Sequence, residues 1–321
     1  MGHFARGSRR IVPVRECPVH ADAGNRISFA LRDAYIRSGI IAADSKPERS
    51  GSRRTPRGAL KSVAVRVAHG TPEIMTTVVV AGDTDARLRT ATRGALTRDA
   101  AGASLHVNIH PRSDAFIFGG ETRRIFGPER MREIVEGQSF LISPTAFFQT
   151  NIDAAAILVR LVLAAVPSKA SVLDLYAGAG LFALPLAARG HRVIAVEANA
   201  AAVRDGVASR DLNGITEERC RFIARPVETA LERLPATDVV VLDPPREGCA
   251  AAVLKRVFGE RRPRAGVYVS CNPGALARDL AITTRAGYRV VSVQPVDMFP
   301  HTAHIETVVV VNRDDQRGKQ A

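Results

Sequence analysis

The sequence predicts an α/β fold, an open and doubly wound sheet of mostly parallel strands preceded by a smaller α+β domain. Three observations predict it. Strand-like and helix-like runs alternate from about residue 150 onward. Runs such as Val239-Val240-Val241-Leu242 are continuously apolar, as in strands covered on both faces. Only eight residues, 296–303, join the last two strands, too few for a long helix, so that pair is expected to be an antiparallel hairpin. At 321 residues, 46% hydrophobic and 24% charged, the chain has room for two domains, and disorder is excluded as a description of the whole. The expected division is an α+β domain over 1–143 and the doubly wound domain over 144–321.

In chain order, Ile27, Ala30, Leu31, Ala34 and Tyr35 recur at helical spacing within 22–39. Residues 44–58 form a polar loop rich in Pro, Gly and Ser. Strand-like stretches follow at Ser62–Val67, Thr77–Ala81, Leu105–His110, Ala115–Phe118 and Phe140–Ile142, with Gly119-Gly120 read as a hairpin turn. Residues 152–166 read as a helix apolar on one face. The strands of the second domain are Val172–Leu175, Val193–Val196, Arg221–Ala224, Asp238–Leu242, Gly266–Ser270, Val290–Pro295 and His304–Val311.

Charge and cysteines narrow the function classes. The net charge is +13, and 40 of the 45 basic residues are Arg. Residues 1–61 alone hold a net +8, which suggests a polyanionic partner, nucleic acid being the commonest. An Arg-rich proteome bias would give the same count. No apolar run reaches the length of a membrane span and the N-terminus lacks the apolar segment of a signal peptide, so a cytoplasmic protein without a membrane partner is expected. The four cysteines, Cys17, Cys220, Cys249 and Cys271, form no C-x-x-C pair. Cys220 and Cys249 are expected to pack in the core.

Three motifs fall at strand ends. Val172–Gly180 is a strand running into a glycine turn, with a helix expected from Leu181; Gly178 and Gly180 allow a tight turn and close approach of a ligand. Glu197 ends the next strand, 19 residues after Gly178, where a carboxylate receives ribose hydroxyls. A nucleoside-containing cofactor follows. Gly178-x-Gly180-x-x-Ala183 also satisfies the dinucleotide fingerprint, so a nicotinamide stays open beside S-adenosylmethionine. Asp174, before the loop, and Asp243-Pro244-Pro245, after the fourth strand, favour the methyl donor. Arg246 stands where amino-methyltransferases have an aromatic residue, which argues against an exocyclic amine and suits a phosphate or carbonyl of the substrate. Cys271 follows the fifth strand at the start of a helix opened by Pro273, a position expected to depress a thiol pKa and make a nucleophile. Glu306 heads an apolar final strand, where a carboxyl needs a partner; with the other motifs it is the candidate general base.

Together these residues resemble the RNA 5-methyluridine methyltransferase family. The resemblance covers about residues 10–311. It includes Phe147-Phe148-Gln149-Thr150-Asn151, Asp174–Gly180, Asp243-Pro244-Pro245-Arg246, Ser270-Cys271-Asn272-Pro273, Ala277-Arg278-Asp279-Leu280 and Phe299-Pro300-His301-Thr302 with His304 and Glu306. It implies a class I methyltransferase fold and S-adenosylmethionine held by Gln149, Tyr176, Glu197 and Asp243. It further implies Cys271 as nucleophile and Glu306 as base on a uridine unstacked from single-stranded or looped RNA. The Asp297–Thr302 wording is similar to the branch acting on 23S ribosomal RNA; a transfer-RNA uridine methyltransferase and a catalytically idle RNA-binding or assembly factor are the alternatives. A monomer is expected. Many members of the ribosomal branch begin with a small β-barrel and hold a four-iron cluster on four cysteines. Only Cys17 matches one of those ligands, so no cluster or other metal is expected in this chain. Leu181 replaces the Asn often found after the glycine turn.

Overall fold

The computed structural model describes residues 2–5, 7–8, 10–43, 59–82, 86–96, 103–112 and 116–314; the predicted loop at 44–58 lies outside them. The chain divides into two compact units, one of residues 1–133 and 143–145, the other of 134–142 and 146–321.

The first unit begins with the short antiparallel strands β1 (Gly2–Phe4) and β2 (Ile11–Pro13), followed by helix α1 (Asp22–Arg37). Its main sheet has the order β3 (Leu60–Val67), β4 (Ile74–Val80), β5 (Ala103–Ile109), β6 (Glu121–Phe126). Only β4 and β5 run parallel, and helix α2 (Ala86–Leu96) makes the crossover between them. Ile27, Leu31 and Tyr35 of α1 and Leu88 and Leu96 of α2 pack on Ile74, Val78, Val80, Leu105 and Val107 of the sheet. Burying each large apolar side chain stabilises by roughly 1.5–3 kcal/mol. The Tyr35 hydroxyl, inside this layer, is paired with Thr92 Oγ1 at 2.9 Å.

The strand expected at Ala115–Phe118 is absent: 116–118 are irregular, and Ala115 lies outside the described residues. Side chains replace the ladder there. Asn108, fully buried, donates to the carbonyls of Gly119 and Glu121 at 3.0 Å each and accepts the Gly119 N–H at 2.7 Å. His110 Nε2 holds Phe116 O at 3.0 Å. The hairpin is real, since β5 and β6 are antiparallel, but its connection spans 110–120.

A tight hairpin follows, β7 (Met131–Val135) and β8 (Gln138–Ile142), turned by Glu136 and Gly137 at φ +48° and +75°. Helix α3 (Ile152–Ala165) is capped by Asn151, whose side chain accepts the Ala154 N–H. Then come β9 (Ser171–Leu175), α4 (Ala183–Ala188), β10 (Arg192–Glu197), α5 (Ala200–Leu212), β11 (Cys220–Ala224), α6 (Val227–Ala230) and β12 (Val239–Leu242). A short α7 (Ala251–Leu254) runs into a π-helical stretch at Lys255–Arg261, followed by β13 (Ala265–Ser270), α8 (Pro273–Arg285), β14 (Tyr288–Val296) and β15 (Glu306–Arg313).

The seven-stranded sheet has the order β11-β10-β9-β12-β13-β15-β14. Its first five strands pair in parallel, and β15 is inserted antiparallel between β13 and β14. This is the doubly wound plan read from the sequence, with the C-termini of β9, β10, β12 and β13 at one edge. Apolar residues of β9, β12, β13 and β15 meet Val253, Leu254, Val257 and Phe258 in the main core. Strands β11 and β14 are the edges; on β14 Val290, Val291 and Val293 are exposed, and the register slips between Val290 and Ser292.

Asn108→Ala removes the bonds that hold the Gly119 N–H and the Gly119 and Glu121 carbonyls. Stability is expected to fall by about 1–3 kcal/mol, read as a lower urea midpoint; an unchanged midpoint would show that this side chain does not hold the connection.

Candidate active site

The site is built where four strands end. β9 and β12 are in register at Leu175 and Leu242, so the residues that follow, Tyr176 and Asp243, leave the sheet side by side. The antiparallel pairing of β13 with β15 sets Ser270 opposite Thr307, which places Cys271 across from Glu306. Two chain segments 35 residues apart thus deliver a thiol and a carboxyl to one point.

The glycine turn after β9 is held by Glu197. Its carboxylate accepts the N–H of Gly178 at 3.0 Å and of Asn199 at 2.7 Å, and Ala177 N donates to Val196 O at 3.0 Å. Tyr176, Gly178 and Gly180 all have positive φ, at +62°, +54° and +91°. The space where a side chain on Gly178 would stand is open, whereas a Cβ on Gly180 would lie 2.7 Å from the Phe222 ring. One glycine therefore exposes backbone to a ligand and the other permits packing from below. Asp174 is 0% exposed, and a backbone bond from Ala183 is the contact that favours its charged form. Burial, and then the charge of Asp243, push its carboxyl well above the usual range.

Asp243 is partly buried, and burial together with Glu306 pushes its carboxyl up to about 8. Glu306 is 5% exposed; burial raises its pKa, and Arg246 opposes the rise. Cys271 departs from the expectation of a depressed pKa. Partial burial and the facing Glu306 raise it, Arg246 lowers it and Asp243 raises it further. The helix terminus is outweighed by burial first and by the two carboxyl groups after it, with Arg246 as the opposing cation. Cys220 and Cys249 are buried with thiols pushed up to about 12 by burial, inert as nucleophiles.

Gln149 lies on the segment leading into α3, partly buried. That segment is fixed by Asn151, whose Nδ2 donates to Met298 O at 3.1 Å, tying it to the Asp297–His304 connection. Asn272 escaped the sequence reading as an organiser. Its Oδ1 caps α8 through the N–H groups of Gly274 and Ala275, and its Nδ2 donates to Arg246 O at 3.0 Å. The cap was legible as Asn before Pro273; the bond to Arg246 was not, because it joins two loops. Cys17 sits before α1, partly exposed, with its backbone N–H and C=O both held by the Asn25 side chain at 2.9 Å. Among the described residues no three His, Cys, Asp or Glu side chains are grouped to hold a metal ion.

The residues fit a cationic nucleoside ligand. An open backbone turn, a carboxylate at the end of β10 and the buried carboxyls of Asp174 and Asp243 suit hydroxyl donors and a positive charge better than a pyrophosphate.

Comparison with known proteins agrees. The family described as tRNA (Uracil-5-)-methyltransferase matches residues 129–314. An RNA methyltransferase of Gloeobacter violaceus is 36% identical over 315 residues, covering 98% of this chain and 66% of that protein. One of Thermosynechococcus vestitus is 34% identical over 314 residues, covering 97% and 67%. This chain therefore spans about two thirds of the length of these relatives. The crystal structure of Pyrococcus abyssi tRNA (uracil-54, C5)-methyltransferase in complex with S-adenosyl-L-homocysteine superposes with a TM-score of 0.77 at 28% identity, covering 94% of this chain and 70% of that one. The M. jannaschii tRNA m1G37 methyltransferase, with a TM-score of 0.51 at 11% identity, shares the fold alone. The chain belongs to the tRNA (uracil-5-)-methyltransferase family, S-adenosylmethionine-dependent RNA methyltransferases built on the class I fold.

Proposed function

We propose that this protein methylates carbon 5 of a uridine in RNA through a covalent adduct on Cys271. The observation that carries the reading is the β13–β15 register, which sets Cys271 across from Glu306 beside the end of β12. Carbon 5 of uracil is a weak nucleophile. The Cys271 thiolate adds to carbon 6, and the ring electrons move to give an enolate that is nucleophilic at carbon 5. Bound S-adenosylmethionine supplies the electrophilic methyl group that carbon 5 accepts. Glu306, as carboxylate, removes the proton from carbon 5; the released electron pair restores the double bond and expels the Cys271 thiolate. The raised pKa of Glu306 suits a group that must take a proton in one step and lose it before the next turnover.

In this reading Gly178 and Gly180 open the backbone to the cofactor, and Glu197 receives ribose hydroxyls while keeping its two backbone bonds. Gln149, Tyr176, Asp174 and Asp243 complete the cofactor's surroundings. Arg246, exposed at the same edge, meets a phosphate or the uracil carbonyl. The excess of Arg supports an RNA partner. We place the substrate in 23S ribosomal RNA on the Asp297–Thr302 segment, with the protein acting in the cytoplasm as a monomer; transfer RNA is the second reading, favoured by the Pyrococcus abyssi relative. Among the described residues no helix is long and apolar enough to cross a membrane.

Three outcomes are expected. With S-adenosylmethionine and RNA carrying 5-fluorouridine, where fluorine cannot leave as a proton, a covalent protein–RNA band forms on a denaturing gel with ribosomal but not transfer RNA, and vanishes in Cys271→Ala. A band that survives this substitution would refute the assignment of the nucleophile. Glu306→Gln slows turnover by about 10²–10⁴-fold and accumulates adduct on ordinary uridine RNA; slowed turnover without adduct would assign Glu306 to an earlier step. Because Cys271 reacts as thiolate and its pKa is raised, single-turnover adduct formation keeps climbing with pH past neutrality. A rate already level below pH 7 would contradict the raised thiol.

A further inference from the structure

The segment after β12 carries Asp243 and Arg246 into the site; Asp243 N donates to Leu175 O at 3.3 Å at its root and Gly248 N to Pro245 O at 2.8 Å across its turn, while residues 246, 247 and 249 are held from outside it. Its fastening comes from α8, through a carboxylate with no part in the chemistry above. Asp279 is 0% exposed. Its Oδ2 accepts the Cys249 N–H at 2.7 Å and the Tyr268 hydroxyl at 2.6 Å. Its Oδ1 receives the Arg278 guanidinium at 2.7–2.8 Å. Arg278 Nη2 in turn donates to Glu247 O at 2.6 Å. With Asn272 on Arg246 O, the carbonyls of residues 246 and 247 and the N–H of 249 are all tied to one helix and its cap. Gly248, at φ +80°, lets the pair come this close; a Cβ there would stand 2.5 Å from Arg278 Nη2 and 2.6 Å from Asp279 Oδ2. The same helix begins two residues after Cys271.

A fully buried carboxylate with three donors is a costly device to keep for packing alone, since an apolar residue of like volume would serve as well. We propose that the Asp279–Arg278 pair is a positioning element that fixes where the Arg246 guanidinium stands relative to Cys271 and Glu306. The inference rests on the reading of Cys271 and Glu306 as the reacting pair. The groups facing Cys271 are Glu306 from β15 and Asp243 and Arg246 from the segment after β12; Arg246 alone among these side chains favours the thiolate. Loosening its backbone leaves the sulfur facing two carboxyls without their counter-charge.

The test reads the thiol itself. In the full chain carrying Cys17→Ser, without RNA or cofactor, the pH dependence of Cys271 alkylation by iodoacetamide is followed by peptide mass spectrometry. Arg246→Gln is expected to move the midpoint up by about half to one unit. Asp279→Asn moves it in the same direction, and the double variant moves it no further than the larger single shift, because both act through one cation. Arg278→Gln, at a side chain 55% exposed, gives the same shift and stands in should Asp279→Asn not fold. A midpoint unmoved by Asp279→Asn or Arg278→Gln, whatever their stability, overturns the proposal, as do additive shifts in the double variant. Methyl transfer is not measured here. Failure of the functional reading leaves these outcomes intact, and an active enzyme with an unmoved thiol sinks only this inference.

Discussion

Carboxyl groups crowded at the end of a hydrophobic sheet constrain everything else in the catalytic unit. Asp174, Asp243 and Glu306 stand near one another at the strand ends, each with its pKa raised and with one cation, Arg246, opposing the rise at Glu306. Taking carboxylates out of water is expensive, and such groups hold protons until a positive charge arrives or a partner is brought close. Burial therefore works against charge on all three groups, and Arg246 works in favour of it at Glu306.

The architecture keeps these groups apart from the rest of the fold without sealing them. Asp174 is one residue before the end of β9, Asp243 is one residue beyond β12 and Glu306 opens β15, so their backbone positions are set by ladder hydrogen bonds rather than by loop conformation. Loops then contribute the rest of this edge: the glycine turn, Arg246 and the Asp297–His304 connection. Side-chain bonds from Glu197, Asn272 and Asn151 hold these loops at their roots. The thiol at Cys271 gains its direction from β13 and its first helical turn from the Asn272 cap.

Much of this was legible in the amino-acid order because the signals are local. Apolar runs of four or five residues, a glycine turn after a strand and Asn-Pro after Cys271 each follow from one stretch of chain. Helix α2 was not legible: only Leu88, Thr92 and Leu96 of its eleven residues are buried, too sparse a stripe among Arg and Thr to register as amphipathic. The strand expected at Ala115–Phe118 rested on a short apolar run, but His110 holds the Phe116 carbonyl and Asn108 the backbone of Gly119 and Glu121 just beyond it. The direction of the Cys271 pKa was missed for a related reason. A helix terminus is visible in sequence, whereas Glu306, 35 residues away, acts on the sulfur only once two strands pair. The Asp279 fastening likewise joins side chains of α8 and β13 to the backbone of the segment after β12, and no spacing announces it.

The slipped register of β14 has a consequence for how this protein behaves among copies of itself. A nine-residue strand at the rim of a sheet, with valines at 290, 291 and 293 facing water, is a template on which another strand could zip. The slip between Val290 and Ser292 breaks the ladder's rhythm on that rim, and Pro295 removes one donor near its far end. An incoming strand finds matching groups for a few residues and then loses step. Irregularity at the margin thus lets the enzyme carry an apolar rim in solution without inviting its own polymerisation.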